Sequence, residues 1–247
     1  MSKQLLKAGL KRAGLYEPAS AGWIWLEPRL IRATRALTGK NERLTAEYLK
    51  GRDEPKLHIG AGDNDRQGWL NTELCPRGDE IFLDATQPFP FASNTFAFIY
   101  TEHMIEHIPF EAARSMMREC YRVLRPGGVI RIVTPNMAFL RGLLDGPLTP
   151  EQTAYIRYSY DAHRIKGPEG SAVHVVNNFV RSWGHQFIYD QDTLNAQVAG
   201  AGFEGVTALP LNESAHPALK DLAKTDRMPD GFLAMESIVT EGRKPAR

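Results

Sequence analysis

From Lys56 onward, short apolar runs of the β type alternate with stretches of helical periodicity. Leu57-His58-Ile59 predicts a buried strand that ends at Gly60-Ala61-Gly62. Trp69 to Leu74 and Ile81-Phe82-Leu83 predict the next two strands, and Phe96 to Tyr100 a fourth. Ala113, Met116, Met117, Cys120 and Leu124 recur at helical spacing, so residues 110–124 read as a helix. Pro126-Gly127-Gly128 ends it, and Val129 to Val133 is a fifth strand. Asp190 or Asp192 can cap a helix that stops at Gly202, and Val206 to Leu209 and Leu233 to Thr240 read as the final strands. This alternation implies a mostly parallel sheet with helices on both faces.

Two segments depart from that rhythm. Residues 1–52 read as a helical N-terminal extension. Leu6, Leu10 and Ala13 share one face, Gly14 and Pro18 break the pattern, and helices follow over Pro28 to Thr38 and Glu42 to Lys50. The second segment, 137–183, interrupts the α/β domain of residues 53–247 with helical pieces and three tyrosines, Tyr155, Tyr158 and Tyr160. It reads as a lid over whatever the domain binds.

Charge sharpens the division. The 247 residues hold 30 Lys plus Arg and 29 Asp plus Glu, which gives no global signal for nucleic acid. Residues 1–52 nevertheless carry a net +7 and the remainder a net −6. The basic segment is expected to pack as a cap on the domain; residues 1–16 would also suit peripheral contact with an anionic membrane surface. Cys75 and Cys120 are the only cysteines, so no disulfide scaffold or cysteine zinc site is available. No apolar run approaches the roughly 18 residues of a membrane helix, and a cytoplasmic location is expected. No feature of the sequence sets an oligomeric state.

The candidate chemistry lies at strand ends. Gly60-Ala61-Gly62 follows the first strand, where glycines let a backbone approach a ligand closely. Glu73 ends the second strand and could accept both hydroxyls of a ribose; Asp84 follows the third and, with the backbone beside it, could read an adenine amine. Each acid alone could be a solvated strand end, but three successive ends point to a nucleoside pocket. Glu102-His103 and Glu106-His107 follow the fourth strand, and His103 and His107 sit four apart. The order is EHxxEH rather than HExxH, and spacing places no third ligand, so no metal is expected.

Taken in order, Gly60-x-Gly62, Glu73, Asp84, Pro88-Phe89-Pro90-Phe91, Glu106-His107 and Arg122-Val123-Leu124-Arg125-Pro126-Gly127-Gly128 amount to a resemblance. The chain resembles class I S-adenosylmethionine-dependent methyltransferases of the methyltransferase-11 type. Gly184-His185-Gln186-Phe187-Ile188-Tyr189-Asp190, Ala201-Gly202-Phe203 and His216-Pro217 narrow the likeness to a group of predicted bacterial methyltransferases. The resemblance covers about residues 56–240. His58 departs from the acidic residue common in the first strand, and the 63–70 connection is too short for a crossover helix.

The resemblance implies a Rossmann-like methyltransferase sheet with an antiparallel final strand. It implies S-adenosylmethionine as donor and S-adenosylhomocysteine as product, held by Gly60, Ala61, Gly62, Glu73, Asp84, Ala85 and Thr101. The expected acceptor is a small molecule, sugar or glycan-related hydroxyl, deprotonated by His103 with Glu102, or by His185. A catalytically silent cofactor-binding or scaffold protein is the alternative. A nicotinamide-dependent oxidoreductase is disfavoured by the missing third glycine.

Overall fold

The computed structural model describes residues 16–246. The proposed amphipathic face of Leu6, Leu10 and Ala13, and with it the membrane-contact expectation for 1–16, falls almost entirely outside them. Among the described residues no helix is long and apolar enough to cross a membrane.

Seven strands form one sheet: β1 (Lys56–Ile59), β2 (Leu70–Glu73), β3 (Ile81–Phe82), β4 (Phe96–Glu102), β5 (Leu124–Pro135), β6 (Glu204–Ala208) and β7 (Ser237–Arg243). Their order is β3-β2-β1-β4-β5-β7-β6. β1 to β5 pair in parallel, and β7 runs antiparallel to both β5 and β6. The chain reverses its direction of travel across the sheet between β1 and β4, so the crevice beyond the strand ends opens there.

Two strand boundaries differ from the sequence expectation. β5 starts at Leu124 and contains Pro126-Gly127-Gly128, because Gly127 N–H donates to Lys244 O at 2.9 Å and Lys244 N–H to Gly128 O at 2.8 Å. A Cβ at Gly128 would lie 2.9 Å from the Ala97 carbonyl, so the close approach of β4 requires glycine. Leu233 to Glu236 are helical, and β7 begins only at Ser237. Gly231, at φ +81°, turns the chain into this short helix, which buries Phe232, Leu233 and Glu236.

The helices begin with α1 (Tyr16–Thr38) and α2 (Lys40–Leu49). α1 is continuous through Pro18, which the sequence suggests as a break, and through Pro28, which it suggests as the start of a second helix. α2 closes the sheet edge: the Asn41 amide donates to Phe82 O at 2.8 Å and accepts from Phe82 N–H at 3.1 Å, standing in for one residue of a neighbouring strand. α3 (Phe110–Val123) lays Ala113, Met116, Met117 and Cys120 into the main core, all fully buried.

The interrupting segment folds as α4 (Met137–Gly142), α5 (Pro150–His163) and α6 (Ala172–Arg181). Thr149 and Gln152 make a reciprocal capping box at the start of α5. The three helices share an apolar cluster, with Leu140, Leu143, Tyr155, Ile156 and Phe179 joined by Ile188 and Phe232 from outside the segment. α7 (Gln191–Gly200) is capped by Asp190, which accepts from Thr193 N–H at 2.8 Å.

Candidate functional site

The glycine turn after β1 is tied to the end of β2. Gly60 and Ala61 N–H both donate to Thr72 O at 3.0 Å, and Gly62 N–H donates to Glu73 Oε2 at 2.9 Å. Leu74 N–H takes the other Glu73 oxygen at 2.8 Å. Gly60 has φ +71°, and a Cβ there would fall 2.3 Å from Met104 Cγ. Gly62 has φ +57° with open space beside it. Asp84 is half-buried beyond β3, and its Oδ1 accepts from Thr86 N–H and Oγ1, with Ala85 between. A bare glycine turn facing open space, flanked by carboxylates at two further strand ends, fits a ligand with a ribose diol and an adenine. Ala61 and Thr101 are buried beneath this surface, and Thr101 Oγ1 has no hydrogen-bond partner.

No helix joins β1 to β2; residues 60–69 form turns. Asn71 holds them, its amide pairing with the Arg66 backbone N–H and C=O at 3.0 Å each. His58 Nδ1 lies 3.0 Å from the same Asn71 oxygen, which is already accepting, so Nδ1 carries a proton. Burial pushes the His58 imidazole down to about 4, and it is neutral. The histidine that departs from the resemblance thus helps hold the shortened connection.

Glu102 is committed to arginines. Oε2 accepts from Arg66 Nη2 at 3.2 Å and Tyr100 Oη at 3.0 Å, and Oε1 from Arg227 Nη2 at 3.1 Å. Arg66 also lies over the Tyr100 ring, 4.7 Å from its centre.

His103 and Glu106 lie just beyond. His103 adopts φ +48°, a left-handed backbone that a non-glycine residue seldom takes. Its Nδ1 is 3.4 Å from Glu106 Oε1, and its Nε2 is 3.1 Å from Ser237 Oγ at the start of β7. Glu106 is fully buried, and its Oε2 accepts from Thr134 Oγ1 at 3.0 Å. Burial alone would push both groups toward neutrality. The close approach and mutual attraction of the two groups prevail, holding Glu106 below the usual carboxylate range and His103 above the usual imidazole range.

His185 reaches the same place from just beyond the 137–183 segment. Trp183 at φ +58° and Gly184 at φ +83° turn the chain after α6. Gln186 and Phe187 N–H then both donate to the Glu106 carbonyl, at 2.7 and 3.2 Å. His185 Nδ1 lies 2.6 Å from Phe179 O, and its ring is 4.8 Å from that of His107.

Residues 72–132 match the protein family described as "Methyltransferase domain". Together with the strand order and its single antiparallel strand, this decides the fold. The chain has the class I methyltransferase fold. No curated protein matches it significantly. Among solved structures it is similar to a SAM-dependent methyltransferase from Archaeoglobus fulgidus, at 15% identity over 88% of this chain and 94% of that one, with a TM-score of 0.46. It is also similar to a possible histamine N-methyltransferase from Thermotoga maritima, at 14% identity over 90% and 99%, with a TM-score of 0.44.

The sequence misses Arg66, Arg227, Thr134 and Ser237, because their partners lie 28 to 134 residues away. No local spacing reveals them.

Proposed function

We propose that this methyltransferase transfers the methyl group of S-adenosylmethionine to a hydroxyl of a small-molecule, sugar or glycan-related acceptor seated beneath the lid 137–183. The donor, when bound, supplies an activated sulfonium methyl; the chain supplies orientation and a place for the acceptor proton. Gly60, Gly62, Glu73, Asp84 and the backbone at Ala85 hold the nucleoside. Ala61 and Thr101 support that surface from below.

The observation that carries the hydroxyl assignment is the Ser237–His103–Glu106 line. With Nδ1 directed at a carboxylate, the neutral form of His103 carries its basic lone pair on Nε2, which lies 3.1 Å from the Ser237 hydroxyl oxygen. An acceptor hydroxyl in the same position would pass its proton to Nε2 as its oxygen bonds the methyl carbon and the carbon–sulfur bond breaks. Glu106 orients the ring and stabilises the imidazolium, as the carboxylate of a hydroxyl–histidine–acid triad does. Glu102 acts at one remove, by fixing Arg66 and Arg227. His185 stands at the mouth, on the lid side.

His103→Ala is expected to keep S-adenosylhomocysteine affinity within about 3-fold by calorimetry. It should lose methyl transfer to a panel of hydroxylated sugars and phenols by about 100-fold or more. Unchanged turnover in His103→Ala, or loss in His185→Ala alone, would move the base. Turnover confined to amines in the same panel would overturn the hydroxyl assignment.

A further inference from the structure

We infer that Glu106, His107 and His185 form a binding site for one divalent cation of the zinc type. The sequence supplies two of these residues side by side and cannot place a third. The fold brings in His185 from 78 positions further along, so that one donor atom from each residue lies within 4.8 Å of the others.

Four observations make this more than a chance cluster. Glu106 is fully buried, yet its Oε1 makes no hydrogen bond: His103 Nδ1 stands off at 3.4 Å and His107 Nε2 at 4.0 Å. Its other oxygen is fixed by Thr134, which orients the carboxylate as outer-shell partners of metal ligands do. His185 Nδ1 sits 2.6 Å from a carbonyl, which can only accept, so Nδ1 carries the proton and the free lone pair is on Nε2. That pairing of a backbone carbonyl on one ring nitrogen with a free lone pair on the other is the usual state of a ligating histidine. Finally, the two N–H bonds from Gln186 and Phe187 to the Glu106 carbonyl fix the His185 loop against the carboxylate through the main chain.

The donor set, two imidazoles and one carboxylate, suits zinc, with a fourth tetrahedral position left for water or an oxygen ligand. The edge of a tetrahedral zinc site is about 3.3 Å. The separations here are up to about 1.5 Å longer, so binding an ion would draw the partly exposed His107 ring in toward the carboxylate and the tethered His185. His103 approaches the same Glu106 oxygen at 3.4 Å, so an ion here would sit directly beside the group proposed to take the acceptor proton. The cation inference rests on these residues alone and stands whether or not the acceptor is a hydroxyl.

The test uses the full chain without a polyhistidine tag, stripped with chelator and titrated with zinc, and separately with cobalt(II). One equivalent is expected to bind. The cobalt spectrum should show the intense visible bands of a four-coordinate site without the charge transfer of a thiolate, which excludes Cys75. At about 100-fold excess over Kd, zinc should raise Tm by about 5 °C. His107→Ala and His185→Ala, both at partly exposed positions, should each weaken binding at least 10-fold while leaving the far-UV spectrum unchanged; His174→Ala should change nothing. Failure of the wild-type chain to bind a stoichiometric ion, or retention of full affinity in both single variants, would overturn the site. Loss of methyl transfer in His103→Ala with zinc binding intact would separate this inference from the acceptor reading.

Discussion

Arg227 Nη2 stands 3.1 Å from Glu102 Oε1, although 125 residues separate the two in sequence. Glu102 is also held by Arg66, so one buried carboxylate joins the β1–β2 connection to the segment between β6 and β7. The two arginines should not be equivalent. Arg66 is nearly buried and also lies over Tyr100, whereas the Arg227 side chain is 32% exposed. Arg66→Ala is expected to cost about 3 kcal/mol, as removal of one partner from a buried pair does. Arg227→Ala should cost about 1 kcal/mol, because solvent screens that pair and Arg66 remains. Urea unfolding of the two variants measures the difference, and equal losses would mean that Arg66 does not dominate.

Gly60 and Gly62 share a positive φ but differ in surroundings, and their alanine variants should differ accordingly. A Cβ at Gly60 would displace Met104, whose Cγ is 2.3 Å away, whereas a Cβ at Gly62 meets nothing within 4 Å. Left-handed backbone costs about 1–2 kcal/mol for alanine, and forcing a side chain out of a packed site adds about 1–3 kcal/mol. Gly62→Ala should therefore lose only the first amount and Gly60→Ala both. S-adenosylhomocysteine affinity should fall in both, at Gly60 because Met104 is pushed out over the turn. Thermal melts with calorimetric titration would check this, and equal Tm losses would contradict it.

The strands and α3 were legible in the sequence because their burial follows local periodicity. Leu57, Ile59, Phe96 and Ile99 are fully buried or nearly so, as strand patterning requires, and Met116, Met117 and Cys120 line one helix face. The placement of Glu73 and Asp84 at strand ends was legible because it needs only the strand ends to be known. Pro18 and Pro28 misled: one reads as a break and the other as a helix start, yet α1 runs through both. The Leu233–Glu236 helix was hidden because packing of Phe232 and Glu236 against the lid decides it, with the Tyr155 hydroxyl donating to Glu236. Ser237 beside His103 and His185 beside Glu106 depend on chain crossings that no spacing records.

His58 gives the stability a pH dependence of known sign. Its imidazole titrates near 4 when folded, against an ordinary 6.5, because burial disfavours the charged ring. The unfolded chain therefore takes up this proton first as pH falls. The stabilising effect of the neutral ring is fully present above pH 6.5 and is lost as pH falls from 6.5 to about 4. At about 1.4 kcal/mol per pH unit, the loss attributable to His58 is about 3 kcal/mol. Urea unfolding between pH 7.5 and pH 4.5 should show a shallower decline for His58→Gln, which keeps a donor for Asn71 but does not titrate. Parallel declines in the two proteins would show that His58 is not the source.

The long cover after β6 depends on a second buried charge pair. Arg131 on β5 is 1% exposed, and its Nη1 donates to Glu241 Oε1 on β7 at 2.7 Å and to Glu213 O at 2.6 Å. Arg131 and Glu241 face each other in the strand register, so the pair links two strands and the loop that folds over them. Arg131→Met leaves the Glu241 carboxylate buried without its partner, which should cost about 3–5 kcal/mol. Glu241→Leu strands the guanidinium by the same logic. The double variant removes both charges and fills the space with apolar groups, so it should be more stable than the sum of the single losses predicts, by about 2 kcal/mol. The Glu213 carbonyl still loses its donor, so wild-type stability should not be fully regained. Urea unfolding of the four proteins gives this coupling directly; strictly additive losses would mean that the two side chains contribute independently and that packing of the loop, not the ion pair, holds the cover in place.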